Sequence, residues 1–389
     1  MSCRSGPAAR SLPVHTLLDG TIDFHGMPDH DTRGTGISPR RLPAWTRLQL
    51  PALMDVVVRM PSGVRLRFAT DSRRLGLGLL ATNLVTPPNE RRPVVANLEI
   101  EGRLHSAYSS AGNTIVLDPN DPGAFELQRG EPDTLWFDDL PEGVKQCELW
   151  LPHNAFVELR TLDLESGATL APPAPVSRPR WIHYGSSISH CMEAVEPALI
   201  WPAVAARAAG VALQNLGFGG QCHLDQFVAR TIRDAEADLI SIKTGINVIN
   251  MDSMRERVFV PALHGFIDTI REGKPETPIA VISPIFCPSA ERRPGPTFAD
   301  RSGKFVTREG HDDIRAGCMH LMRVRELIAD VVNRRCAAGD PKLTYVDGLA
   351  LFGEGEAVDL PDDLHPNPAG YVRMGERFAP VLGRLLARL

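Results

Sequence analysis

The segment from Leu170 to Arg180, LAPPAPVSRPR, restricts this chain more than any other. Pro172, Pro173, Pro175 and Pro179 fix their φ angles and remove backbone donors, so neither a helix nor a central strand can run through them. The segment reads as a semi-rigid, extended connector over residues 171–180. One folded part is then expected over residues 1–170 and a second over 181–389. The length of 389 residues agrees with two domains rather than one.

Hydrophobic patterning differs on the two sides. Before the connector, Val64-Arg65-Leu66-Arg67-Phe68, Leu98-Glu99-Ile100-Glu101 and Val157-Glu158-Leu159-Arg160 alternate apolar and polar, as half-buried strands do. Pro61-Ser62-Gly63, Asp118-Pro119-Asn120-Asp121-Pro122 and Pro141-Glu142-Gly143 supply turns between them. The expected fold of this part is an antiparallel β-sandwich. After the connector, short apolar runs alternate with longer amphipathic ones, the pattern of a parallel α/β sheet covered by helices on both faces. Strands are expected at Trp181 to Tyr184, Val211 to Asn215, Leu239 to Lys243, Ile279 to Ser283 and Leu343 to Val346. Helices are expected at Pro197 to Ala209, Leu224 to Ala235, Ser253 to Arg271, Asp312 to Ala338 and Pro368 to Leu389. The long segment Pro284 to His311, rich in Pro, Arg and Gly, is expected to form a wall or lid beside a site.

Composition narrows the function. Hydrophobic residues at 43% and charged residues at 23% allow a sizeable core. A net charge of -5 and a pI near 6.2 provide no basic field for nucleic acid. Seven scattered cysteines without a CxxC pair signal neither a disulfide framework nor a zinc site. No apolar stretch marks a secretion signal or approaches the roughly eighteen residues of a membrane span, so a cytoplasmic protein is expected.

In open α/β sheets, ligands bind beyond the carboxyl ends of the strands. Four of the five predicted strands are followed by informative segments. Gly185-Ser186-Ser187-Ile188-Ser189 is a small-residue turn that can present a hydroxyl, and Asn215-Leu216-Gly217-Phe218-Gly219-Gly220 can aim a bare N–H at developing charge. Thr244-Gly245-Ile246-Asn247 brings a side-chain amide to the same edge. Asp362-Asp363-Leu364-His365-Pro366 places a carboxylate three residues before an imidazole, close enough to fold back and hold it.

These four segments, in this order, resemble the conserved blocks of the SGNH or GDSL family of serine esterases and acyltransferases. The resemblance spans the chain from about Trp181 to its end, and it implies a flavodoxin-like three-layer α/β/α catalytic domain with five parallel strands. It puts the nucleophile on Ser187, the oxyanion-hole donors on the Ser187 N–H, Gly220 and Asn247, and the Asp-x-x-His pair on Asp362 and His365. Two positions depart from the family pattern: Ser186 stands where an Asp usually precedes the nucleophile, and Val248 where an Asp usually comes after the asparagine. Neither change removes a mechanistic group. A β-sandwich ahead of a GSSIS-type domain is similar to an actinomycete subgroup that includes an acyltransferase of a tetracycline-type polyketide pathway.

A serine hydroxyl needs an adjacent base as it attacks, which is the role expected of His365, with Asp362 orienting it. The expected reaction passes an acyl group from a small-molecule ester or thioester through an acyl-Ser187 intermediate, with no cofactor and no metal. Water is the expected acceptor, which makes an esterase; the alternatives are an O-acyltransferase with a hydroxylated natural product as acceptor and, with a carbohydrate-binding sandwich, a deacetylase or a lectin with a vestigial catalytic domain. Simpler readings compete at several positions. Ser187 alone could be a helix N-cap, Gly219 rivals Gly220, Asn247 could cap a turn, and Asp363 rivals Asp362. His183, His190 and His223 read as packed or solvated side chains, and Cys191 and Cys222 as small buried thiols. His311, Asp312, Asp313 and His320 read as a helix start before they read as a metal cluster, and Asp118 to Asp121 as a β-turn before a calcium loop.

Overall fold

Five apolar runs after the connector become five parallel strands: Arg180–Gly185 (β1), Ala212–Gly217 (β2), Leu239–Lys243 (β3), Ile279–Ile282 (β4) and Leu343–Val346 (β5). The structure is a computed structural model that describes residues 9–118, 121, 123–175, 177–307 and 317–389. Strand order is β2-β1-β3-β4-β5, the flavodoxin-like arrangement. Every residue of β3 and β4 is buried, as helices on both faces demand, and this is why they read as continuous apolar runs. The order reverses at β1, so the crevice beyond the carboxyl ends of β1 and β3 is the place for a ligand.

The helices are Ser187–His190 (α1), Trp201–Ala209 (α2), Gln226–Asp234 (α3), Ile246–Asn250 (α4), Glu256–Gly273 (α5), Leu321–Ala337 (α6) and Pro368–Leu386 (α7). Local chemistry sets their ends. Gly210 closes α2 in the left-handed conformation at φ 68°, and Asn367 caps α7 by accepting from Gly370 N at 2.8 Å. Four helices begin later than the patterning predicts, α3 by two residues and α5 by three, and α2 and α6 by more. Pro197–Leu199 is a separate 3-10 turn ahead of α2, because Ile200 is extended and Pro202 sits at the start of the helix. Helix α6 begins at Leu321 instead of Asp312: His320 is extended, and its ring accepts from Arg323 N at 3.3 Å as an N-cap. The expected start at Asp312 lies outside the described residues. The Pro284 to His311 segment is not structureless, since Thr297–Ala299 and Phe305–Thr307 pair as a small antiparallel hairpin.

The chain forms two units that interleave in sequence. One comprises Met1–Arg41, Val58–Ser177 and Glu196–Ala198, and the other Leu42–Val57, Arg178–Val195 and Leu199–Leu389. The proline-rich connector predicts a single boundary, and Leu42–Val57 departs from it by joining the α/β unit. The first unit contains an eight-stranded and a six-stranded sheet around one apolar core that includes Leu66, Phe68, Leu77, Leu98, Leu149 and Leu159. Its pairs are antiparallel except for Leu75–Val85 with Asn113–Leu117, which run parallel. Strand Arg65–Thr70 is buried on both faces where alternation predicts one solvated face. The reason is that Arg65 stacks on Trp150 at 4.4 Å and faces Glu148 at 3.5 Å.

Gly217, the last residue of β2, shows how closely the sheet approaches helix α1. A Cβ there would lie 2.4 Å from the carbonyl carbon of Ser189 and 2.6 Å from His190 N, backbone atoms of α1 that cannot yield separately. Gly217→Ala should therefore destabilise the protein by about 1–3 kcal/mol, as overpacking does. Chemical denaturation measures this, and an unchanged midpoint would mean that α1 is not held against β2.

Candidate active site

The α1 turn is a single helical turn fixed from below. Ser186 is extended at φ -89°, ψ -160°, and its hydroxyl accepts from Ile188 N at 3.3 Å. Cys191, left-handed at φ 61°, ends the turn by donating its N–H to Ser187 O at 2.7 Å. Beneath it runs a buried polar chain: Ser189 Oγ lies 2.7 Å from His183 Nε2, and His183 Nδ1 lies 2.7 Å from Ser241 Oγ, which also accepts from Trp181 Nε1 at 2.9 Å. Asn215 donates from Nδ2 to Ser189 O at 2.9 Å and accepts from Gly217 N at 3.0 Å. Side chains of β1, β2 and β3 thus set the turn. Burial, aided by the Lys243 ammonium, holds His183 well below the ordinary histidine range, so its ring is neutral.

Ser187 meets a histidine 178 residues later in the chain. His365 Nε2 is 2.9 Å from Ser187 Oγ, and His365 Nδ1 is 2.6 Å from Asp362 Oδ2. The other oxygen of Asp362 accepts from His365 N at 2.7 Å and Leu364 N at 3.0 Å, so the carboxylate folds back over its own loop. Asp363, left-handed at φ 63°, turns elsewhere and pairs with Lys304 at 3.2 Å. Between the two acids, Asp362 is the one the fold presents to the imidazole. A second carboxylate also faces that ring: Glu193 Oε1 lies 3.9 Å from His365 Nδ1, and Glu193 Oε2 accepts from Tyr371 OH at 2.7 Å. Burial opposes charge on His365, but the carboxylates of Glu193 and Asp362 outweigh it and push its pKa up to about 9. Burial also works to raise the Asp362 pKa, and hydrogen bonds from His365 and Leu364 more than offset it, holding that carboxyl below its ordinary value.

Hydrogen-bond donors stand at the same sheet edge. Neither the Ser187 N–H nor the Gly220 N–H bonds to another described residue. Gly220 lies in the left-handed region at φ 69°, and its carbonyl is 3.1 Å from His223 Nε2. Gly219 abuts the nucleophile: a Cβ there would lie 3.9 Å from Ser187 Cβ and 3.9 Å from Val57 Cγ1. Asn247 is 3% exposed, and its Oδ1 accepts from Cys222 N at 2.9 Å, which leaves its two amide protons for another acceptor. The His365 ring packs T-shaped against Phe305 at 5.6 Å between centroids, and Phe305 also lines a cavity of about 550 Å³ with Phe286, Arg292, Arg293 and Asp363. Within the Pro284 to His311 segment, Phe286, Arg292, Arg293 and Phe305 to Thr307 wall this cavity.

The remaining polar residues have structural surroundings. His190 is buried, and His223 Nδ1 lies 2.9 Å from Ser253 Oγ. Cys191 and Cys222 are buried, and burial pushes the Cys222 thiol up to about 12. His320 is the α6 cap, whereas His311, Asp312 and Asp313 lie outside the described residues, as do Pro119, Asn120 and Pro122 of the candidate calcium loop. Among the described residues no cluster of ligating side chains could hold a metal, and no helix is long and apolar enough to cross a membrane. Sequence reasoning does not single out Glu193, Tyr371 or Phe305. They lie in no motif, and the Glu193–Tyr371 contact joins positions 178 residues apart, so no local pattern announces it.

Residues 179–289 match the GDSL-like Lipase/Acylhydrolase family. Among solved structures, the chain is 29% identical to the salicylyl-acyltransferase SsfX3 from a tetracycline biosynthetic pathway, with 97% of each chain covered and a TM-score of 0.79. A GDSL-like lipase from Bacteroides ovatus is 19% identical over 98% of each chain, with a TM-score of 0.70. A family two carbohydrate esterase from Clostridium thermocellum is 16% identical, covering 95% of this chain and 100% of its own, with a TM-score of 0.60. The latter two show a shared fold. No curated protein matches the chain.

The electrostatics have a direct test. In Ser187→Ala protein, the ring-proton resonances of His365 should titrate well above the ordinary histidine range, near pH 9, while those of His183 stay in the neutral form down to acid pH. NMR titration reads both, and a His365 midpoint near 6.5, its ordinary value, would show that the carboxylates do not reach it.

Proposed function

For a chain of GDSL-like lipase/acylhydrolase type, we propose acyl transfer through a covalent acyl-Ser187 intermediate, with a hydroxyl-bearing small molecule as acceptor. The observation that carries this reading is the unbroken line Asp362–His365–Ser187, with contacts of 2.6 and 2.9 Å. Ser187 Oγ attacks the carbonyl carbon of an ester or thioester while His365 Nε2 takes its proton. Asp362 holds the imidazole by Nδ1 and stabilises the imidazolium as it forms. The oxyanion accepts hydrogen bonds from the Ser187 and Gly220 N–H groups and the Asn247 amide, each worth about 3–4 kcal/mol of barrier at comparable sites. Collapse breaks the bond to the leaving group, which departs with the proton held by His365. A hydroxyl then gives its proton to His365 and attacks the acyl carbon, and Ser187 is released with that proton. Residues of this chain perform every step.

Two features support a hydroxyl acceptor over water. Likeness to a salicylyl-acyltransferase extends over 97% of the chain, and a cavity lined by Phe305, the ring that packs against His365, gives room for an acceptor near the base. Hydrolysis is the alternative outcome of the same acyl-enzyme.

Ser187→Ala should lower aryl-ester turnover by about 10⁴-fold or more and leave thermal unfolding nearly unchanged. A fluorophosphonate should add once, at Ser187, as read by peptide mass spectrometry. Activity above a few percent in the variant would move the nucleophile elsewhere. Partitioning then decides the acceptor: with a polyhydroxylated aromatic at millimolar level, transfer should saturate, because a bound acceptor competes with water through effective molarity. Transfer that stays a small linear fraction across aromatic and carbohydrate acceptors would make the protein an esterase.

A further inference from the structure

Building on the Ser187–His365 reading, we propose that Glu193 is a second carboxylate partner of His365, a positioning residue that shares with Asp362 the stabilisation of the imidazolium. Its Oε1 stands 3.9 Å from the same Nδ1 that Asp362 approaches to 2.6 Å. That is beyond a hydrogen bond and within strong Coulomb range. The position of Glu193 is set independently of the histidine. Tyr371, fully buried on α7, donates its hydroxyl to Glu193 Oε2 at 2.7 Å and so turns the other oxygen toward the ring. Burial and the nearby carboxylates keep the Tyr371 phenol well above its ordinary pKa, so it remains a donor at every working pH.

The groups around His365 leave Glu193 little competition. Lys304, on the hairpin side, is paired with Asp363 at 3.2 Å. Phe305 presents a ring edge, Ser187 is neutral, and burial holds the Cys191 thiol protonated. Asp362 shares its charge among His365 and two backbone N–H groups, whereas the free oxygen of Glu193 points at the imidazole. Its side chain is 30% exposed, so water screens it in part, and it tunes the base without replacing the direct partner.

This assignment predicts a signature that a merely structural residue would not give. Removing a negative charge from the surroundings of His365 lowers its pKa, so the neutral base is present at lower pH. In Glu193→Gln, the acid limb of kcat/KM should move to lower pH by roughly one unit, and activity at pH 7 should rise relative to the variant's own plateau. Tyr371→Phe, which releases the carboxylate, should move the limb the same way by less, and Glu193→Asp should restore part of the shift. In an Asp362→Ala background, adding Glu193→Gln should cost about ten-fold more activity than it does in the wild type, because the two acids substitute for each other. The decisive reading needs no turnover: the NMR midpoint of His365 in Ser187→Ala protein should fall when Glu193→Gln is added. A midpoint and acid limb that stay in place, or a double variant equal to the product of the singles, would overturn the proposal. An NMR shift together with wild-type protein that no fluorophosphonate labels would instead leave the carboxylate pair standing and reject the serine mechanism.

Discussion

The candidate site depends on the placement of one four-residue turn, and buried hydrogen bonds decide that placement. Helix α1 is far too short to be stable on its own propensity. It is held because the hydroxyl and the carbonyl of Ser189 are tied to His183 and Asn215, which stand on adjacent strands. A buried polar chain of this kind is costly when any member is unpaired, so it admits one arrangement and excludes near alternatives. Gly185 and Gly217 complete the constraint, since side chains at either would meet atoms of α1 within about 2.5 Å. The nucleophile is thus positioned by the sheet, and its backbone N–H is left unpaired at the sheet edge.

Legibility in the sequence tracks the range of the interaction. The central strands of the α/β unit can be read because both faces of β3 and β4 are buried, which makes each a short apolar run; β3 and β5 match the expected limits residue for residue. Helix starts are less legible where a cap overrides the amphipathic pattern, as His320 does for α6 and extended Ile200 does for α2. In the first unit, alternation succeeds at Val157-Glu158-Leu159-Arg160 and fails at Arg65, whose charge is neutralised by Glu148 and covered by Trp150. Alternation assumes that a charge seeks water, and a long-range ion pair removes that premise.

The same distinction applies within the site. Asp362 and His365 are three residues apart, so their contact is a local property of the loop and can be anticipated from spacing. Ser187, Gly220 and Asn247 each come after a strand, so topology alone brings them to one edge. Glu193 has neither advantage. Its relation to His365 exists only because α7 packs Tyr371 beneath it, and that depends on tertiary structure across the whole unit. The grouping of Leu42–Val57 with the α/β unit is illegible for the same reason, and it brings Val57 to within reach of Gly219, beside the nucleophile.

In the proposed reaction, a single imidazole face must serve two exchanges. His365 Nε2 gives a proton to the departing group and later takes one from the acceptor, so both groups must approach Ser187 from the side where Nε2 is reachable. Phe305, which packs against the His365 ring, also lines a cavity with Arg292 and Arg293. Leaving group and acceptor therefore occupy overlapping space, and the first has to go before the second can bind. An imidazole pushed up by two carboxylates suits this order, because it stays an imidazolium from the attack of Ser187 until the leaving group carries the proton away. That order is a double displacement, in which the acyl group rests on Ser187 between the two exchanges, whatever the acyl group proves to be.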